Sequence, residues 1–332
     1  MKRLICLAIC CLMLAFLFVG CGSKTENELK KVELHEVTRS VFYAPQYVAA
    51  ALGYFEDEGL DVNIVTAGDS NKAMTALLAG EADICLAGPE TGVYVYNEGR
   101  ANHPVVVGQL TKRDGSYLIG REAVTNFDWS LLEGSTVIGG RKGGMPCMTL
   151  LYVMYEHGLI PGQNITVIDS IQFPLMAGAF EGGEGDYVTL FEPTATEFAN
   201  AGKGYIIANI GLESGEVPYT CYFAAPDKLK NDPQMVEAFL RAIYRAQKWI
   251  VTATDKEIAE AMKPYFPDTS IESLMIVAKS YRDTDSWKTE LEMFENDYQR
   301  LLNIIDHSGE LTARPPFEEL IDNTLAKKVQ GN

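Results

Sequence analysis

Three features of the sequence predict a two-lobed α/β protein. Its 332 residues are too many for one comfortable core and suit two lobes of ordinary domain size. Short apolar runs alternate with stretches of helical periodicity, the pattern of strands layered against helices. The segment Glu81-Ala82-Asp83-Ile84-Cys85-Leu86-Ala87-Gly88-Pro89-Glu90 is also echoed by Glu184-Gly185-Asp186-Tyr187-Val188-Thr189-Leu190-Phe191-Glu192-Pro193. Each reads acid, small residue, Asp, strand, and then a Pro/Glu pair opening a helix. Ordinary strand-to-helix turns can coincide in this way. Two similar lobes would instead aim both turns at one cleft, because open α/β sheets bind ligands beyond the carboxyl ends of their strands.

The elements follow in order. A first strand is expected over 32–37. Tyr47, Val48, Ala51, Leu52 and Phe55 then recur at helical spacing, and Gly59 ends that helix. A second strand is expected over 61–66. Asp69 or Ser70 caps a helix whose Ala73, Met74, Leu77 and Leu78 share a face. Strands over 82–86 and 104–110 complete this half. The polar stretch 111–116 breaks the rhythm, which restarts with a strand at 136–139 and a helix at 145–157. Further strands are expected at 165–168, 187–190, 205–210 and 219–224. Beyond Pro233 the pattern is helical, over 233–252, 270–283, 289–307 and 317–328. The chain should cross twice between lobes, one formed by 32–112 plus 220–332 and the other by 113–219.

Composition narrows the class. Hydrophobic residues make up 47% and charged residues 22%, which is globular and not disordered. The formal net charge of −17 disfavours nucleic acid and anionic lipid surfaces as partners. Residues 1–20 read as a signal peptide, with Lys2 and Arg3 ahead of an apolar run slightly short of the ~20 residues that span a bilayer. Gly20-Cys21 resembles a bacterial lipobox, with Phe18 where that pattern has Leu. Cys21 is therefore expected to be lipidated, palmitate included, and to become the mature N-terminus. Residues 21–31 then tether the body to the extracytoplasmic face of the cell membrane. Of seven cysteines, three lie in the leader and one is the anchor. Cys85, Cys147 and Cys221 fit no zinc site and no CxxC pair, and should be small buried apolar residues.

Tyr43-Ala44-Pro45-Gln46-Tyr47, with Gly53-Tyr54-Phe55-Glu56-Asp57-Glu58-Gly59-Leu60-Asp61-Val62, resembles the first strand–helix–strand unit of one family. This is the family of nitrate/sulfonate/taurine and thiamine-pyrimidine-precursor binding lipoproteins of ABC importers. Leu77-Leu78-Ala79-Gly80-Glu81-Ala82-Asp83-Ile84 is similar to its next unit. The similarity spans 32–325, specific in the first hundred residues and looser in the C-terminal helices. It implies a type II periplasmic-binding fold, two α/β lobes joined by two crossover strands with the ligand cleft between them. It implies as partners a small-molecule ligand, an ABC transporter permease and its ATPase, and a structural role for Asp83. The protein is expected to be a monomer.

Four segments are placed to reach such a cleft. The loop holding Phe42 and Tyr43 could stack on a flat ligand, although either ring could instead pack beneath the loop. Gly88-Pro89-Glu90 is the second and Phe191-Glu192-Pro193 the fourth. The third is the glycine-rich turn ending in Arg141, Lys142, Gly143, Gly144 and Met145. Its amides and the helix it opens could hold an anion or a carbonyl, or it could be a tight turn with two solvated bases. It lacks phosphate-loop spacing. Gln109, Phe173 and Tyr219 complete the candidates.

Catalysis is not expected. His35, His103, His157 and His307 are scattered, and no Ser-His-Asp, Cys-His or metal constellation forms. A fungal thiamine-pyrimidine synthase shares the family's fold, but its cysteine-rich loop has no counterpart here, where Cys147 stands alone. No cofactor motif occurs. As for the ligand, Glu90 and Glu192 beside a sulfonate, taurine or nitrate would add like-charge repulsion costing several kcal/mol. Beside amino or ring N–H donors they become strong acceptors. An amine-bearing heterocycle of thiamine-pyrimidine-precursor type is therefore expected, with an anion as the alternative. The glutamates could also merely cap their helices.

Overall fold

The computed structural model of the chain describes residues 28–331. The expected signal peptide and the expected lipidation of Cys21 fall outside the described residues. Among the described residues no helix is long and apolar enough to cross a membrane.

Two five-stranded sheets organise the chain. The first contains β1 (Lys30–Glu36), β2 (Leu60–Thr66), β3 (Ile84–Ala87) and β4 (Val105–Thr111), joined from far downstream by β10 (Thr220–Ala224). Its order is β2-β1-β3-β10-β4, with β1, β2 and β3 parallel and β10 antiparallel to both neighbours. The second contains β5 (Ser116–Gly120), β6 (Thr136–Ile138), β7 (Thr166–Ile168), β8 (Tyr187–Phe191) and β9 (Tyr205–Asn209). Its order, β7-β6-β8-β5-β9, repeats the plan: three parallel strands, then an antiparallel insertion. The two mixed sheets with their helices form the two α/β lobes of a periplasmic-binding fold.

The chain passes between sheets twice, from β4 to β5 and from β9 to β10. These crossovers are tied to each other. Val217 N donates to Lys112 O at 2.9 Å, and the Thr111 and Thr220 hydroxyls lie 2.6 Å apart. The echoed sequence segments are structural equivalents. Asp83 accepts the amide of Glu33 in β1 at 2.9 Å, and Asp186 accepts the amide of Thr136 in β6 at 2.8 Å. Each thus fastens the start of its strand to the neighbouring parallel strand, a structural use of both aspartates.

Most expected elements form within a residue or two, and the exceptions have physical causes. The first helix is two, Ala44–Ala51 and Tyr54–Asp57, broken at Gly53 with φ +71°. β5 has no counterpart among the expected strands: all five of its residues are buried, so it shows no alternation. The expected 289–307 helix begins only at Glu295. The residues before it run beside β4, where Gln109 N donates to Leu291 O and Lys288 N to Leu110 O. The expected 317–328 helix is split into Phe317–Leu320 and Thr324–Gln330, because Ile321 bridges to Val106. The helix Asp255–Met262, capped by Thr254 and Glu257, was not expected either. Cys85, Cys147 and Cys221 are free and buried.

A continuous apolar core runs under the first sheet and across the seam, taking in Tyr117, Met145 and Phe191 from the second lobe. A separate core, centred on Leu118, Trp129 and Leu150, supports the second sheet.

Candidate functional site

Every parallel strand of both sheets ends at one interlobe pocket. Thr38, Ser40 and Tyr43 follow β1, Asp69 and Ser70 follow β2, and Gly88 and Glu90 follow β3. From the other lobe, Arg141, Gly144 and Met145 follow β6, Phe173 follows β7, and Phe191 ends β8. Tyr219 and Thr220 come from the second crossover. The cavity between the two lobes is about 80 Å³. Convergence of strand ends from two facing sheets is what the fold's topology dictates.

Glu90 is the first residue of the helix Glu90–Asn97 and is 1% exposed. Its side chain folds back over Gly88, where an added Cβ would lie 2.0 Å from Oε2. Oε2 has no hydrogen-bond partner within the protein. Burial pushes this carboxyl up to about 7; its own amide, the Arg141 guanidinium and the amide of Met145 pull the other way. The last two belong to the opposite lobe. Met145 opens the helix Met145–Glu156, which has no side-chain cap, so the Glu90 carboxyl also complements the positive end of that helix. Gly140 and Gly143, at φ +92° and +70°, let the loop turn sharply enough to present Arg141.

The aromatic wall is built on Phe42. It is fully buried, and its ring packs 5.8 Å from Tyr43, 5.7 Å from Phe191 and 5.6 Å from Tyr219. Phe191 in turn meets Phe173 at 5.3 Å. Phe42 thus lies beneath the pocket as support, while Tyr43, Phe173, Phe191 and Tyr219 face it. The Tyr219 hydroxyl and Asp114 Oδ2 are buried without a well-formed hydrogen bond. Asp114 sits on the first crossover, its other oxygen held by Ser116 N at 2.7 Å. Burial raises Asp114 to about 6 and, with that acid close by, lifts the Tyr219 phenol well above its usual range.

Five expected contacts are placed elsewhere. Phe42 underlies the pocket. Gln109 is buried within β4 and donates to Thr111 O at 3.0 Å. Lys142 is exposed and pairs with Glu310 at 3.4 Å, and Gly143 accepts the Tyr94 hydroxyl at 2.8 Å, both on an outer groove. Glu192 is buried, and its carboxylate is occupied: Oε2 accepts Thr196 N and Oε1 accepts Thr196 Oγ1, each at 2.8 Å. It caps the helix Thr194–Asn200 and borders a neighbouring pocket. Ser40 and Gly88, from two of the expected segments, line the pocket, and so do Thr38, Asp69 and Ser70, which are not among the expected contacts. The strand-end rule applied to β1 and β2 finds these three. Among the described residues no group of three or more His, Cys, Asp or Glu could hold a metal ion.

Two mixed sheets with a pocket between the ends of their parallel strands define the class as a periplasmic-binding fold. The comparisons agree. The family model described as "NMT1/THI5 like" matches residues 41–256, and the chain belongs to that family. It is 41% identical over 330 residues to YtlA of Bacillus subtilis (strain 168), a protein named for a proposed binding role, covering 99% of each. Among solved structures it is similar to the nitrate-binding protein NrtA of Synechocystis PCC 6803, with a TM-score of 0.68, 14% identity, and 92% of this chain and 89% of that one covered. It is also similar to the alkanesulfonate-binding protein SsuA of Xanthomonas axonopodis pv. citri bound to MOPS. There the TM-score is 0.70 and the identity 14%, with 86% and 96% covered.

Proposed function

We propose that the chain is the extracytoplasmic solute-binding component of an ABC importer, capturing a small, flat, amine-bearing heterocycle of thiamine-pyrimidine-precursor type. Its lobes, 32–112 with 220–332 and 113–219, close over the ligand, and a permease with its ATPase receives it. The observation that carries the ligand class is Glu90. A buried carboxyl with an unpartnered oxygen, facing an aromatic-walled pocket, is costly unless a donor arrives. An amino group on a ring stacked against Tyr43 or Phe191 supplies one. The role is binding, not catalysis.

An anionic ligand is the second reading. Arg141 in the same pocket supports it, as do the names of the nitrate- and alkanesulfonate-binding neighbours. Native mass spectrometry of the protein purified from its own host decides between them. An amino-substituted heterocycle is expected, and a sulfonate or nitrate would overturn the ranking. Cys21 is proposed to carry the lipid anchor, with a monomeric body outside the membrane. Cys21→Ser should release the protein to the medium or leave it uncleaved; unchanged membrane retention and processing would contradict the anchor.

A further inference from the structure

We infer that Tyr281 is a positioning residue that ties the second-lobe turn at Glu192 to the first crossover and to the C-terminal helices, so that protein contacts alone supply part of the closed state. The inference rests on the lobe-closure reading above. Tyr281 lies on the helix Ile271–Asp283 and is fully buried. Its ring packs 5.2 Å from Phe42, the support of the aromatic wall, and 6.1 Å from Trp287. Its hydroxyl is used twice. It accepts the Glu192 amide at 3.0 Å and donates to Gly115 O at 3.1 Å.

The Glu192 turn is held from its other side as well. The Ser40 hydroxyl, on the loop after β1, donates to Glu192 O at 2.8 Å. Both peptide groups of Glu192 therefore end on residues outside its own sheet. Neighbours of Tyr281 repeat the pattern. Ser280 Oγ lies 2.6 Å from the Tyr117 hydroxyl of β5, and Thr269 Oγ1 donates to Glu197 at 2.9 Å. Phe191, which faces the pocket, precedes Glu192 directly, so fixing the Glu192 amide fixes that wall. In the closed form this amide is buried and needs its partner, whereas in an opened form water can serve it. The Tyr281 hydroxyl therefore favours closure specifically. A phenylalanine would keep the ring packing and lose both bonds.

The test is single-molecule energy transfer between fluorophores on non-natural residues replacing Leu131 and Val251, exposed positions on opposite lobes. The full chain is measured without added solute. Wild type should show two lobe separations. Tyr281→Phe should lower the closed-to-open ratio roughly three- to tenfold. Tyr298→Phe is the control. It removes an equally buried hydroxyl that bonds Pro315 O at 2.8 Å within the C-terminal region, and should leave the ratio unchanged. Two separations unaffected by Tyr281→Phe, or shifted equally by both variants, would overturn the inference. A single separation in wild type would instead overturn lobe closure itself, and the inference with it. Hydrogen exchange reads the same bond without a variant: the Glu192 amide should exchange in step with the open fraction, and protection independent of that fraction would overturn the inference too.

Discussion

The turn after β3 and the turn after β8 begin alike and end differently. Asp83 and Asp186 fasten the same neighbouring strand in each lobe, so the two segments are one structural device used twice. Yet the Pro/Glu order is reversed. Glu90 follows Pro89 and is the first residue of its helix, whereas Glu192 precedes Pro193 and stands outside its helix. That difference of two helix positions decides the fate of two buried carboxyls. Glu192 turns inward and is fully occupied by Thr196, while Glu90 turns over Gly88 into the cleft with Oε2 unpartnered. One turn is finished by its own helix. The other is left for something else to finish.

The comparison predicts a pH signature, which is the largest effect. Glu90 is raised from 4.5 to about 7 in the folded protein. The folded state therefore binds more protons than the unfolded state between those values, and stability falls as pH rises through that window. Glu90→Gln should remove a loss on the order of 3 kcal/mol, making the variant more stable than wild type above pH ~7. Denaturant unfolding at pH 5 and pH 8 measures it, and equal slopes for both proteins would remove Glu90 as the buried acid. Glu192 is raised by burial too, but Thr196 opposes the shift, so Glu192→Gln should flatten the profile less.

Next is the space over Gly88. A Cβ there would collide with the Glu90 carboxyl, so Gly88→Ala should cost roughly 1–3 kcal/mol of affinity for whatever Glu90 meets. Titration of the variant checks this, and unchanged affinity would mean that the carboxyl adapts freely. Thr196→Val sharpens the contrast from the other turn. It should lower stability by about 1 kcal/mol through the lost donor to Glu192, with little effect on binding. Lys142→Ala should matter least. Its exposed pair with Glu310 is worth ~0–1 kcal/mol, so affinity should change by less than about fivefold; a larger loss would return Lys142 to the site.

Much of this was legible in the sequence, for reasons that vary with the element. Strands β1 to β4 and β10 announce themselves as short apolar runs ended by turn residues, and the helix Pro233–Thr252 by its strong amphipathic period. β5 does not, because both its faces are buried. The segment 289–293 reads as helix but is claimed by β4, a tertiary preference that no local pattern carries. In the site, Glu90, Arg141 and the aromatics were visible as unusual residues at strand ends. The roles of Lys142 and Gly143 were not, since side-chain direction after a glycine turn depends on the φ values of Gly140 and Gly143. Nor was the separation of Glu90 from Glu192. Both belong to one sequence motif, and only the helix register tells them apart.

The central claim is that Glu90, and not Glu192, accepts a donor from the ligand. Isothermal calorimetry on ligand-stripped protein tests it, titrating 4-amino-5-hydroxymethyl-2-methylpyrimidine and, separately, an alkyl sulfonate. The pyrimidine should bind at micromolar strength or better, about −8 kcal/mol. Glu90→Gln should weaken it at least tenfold, a charge-assisted hydrogen bond contributing roughly 1.5–3 kcal/mol, and Glu192→Gln should leave it unchanged. Tight sulfonate binding that weakens as pH passes ~7 and survives Glu90→Gln would contradict the account, because an ionised Glu90 would then be the ligand's repulsive neighbour and not its partner.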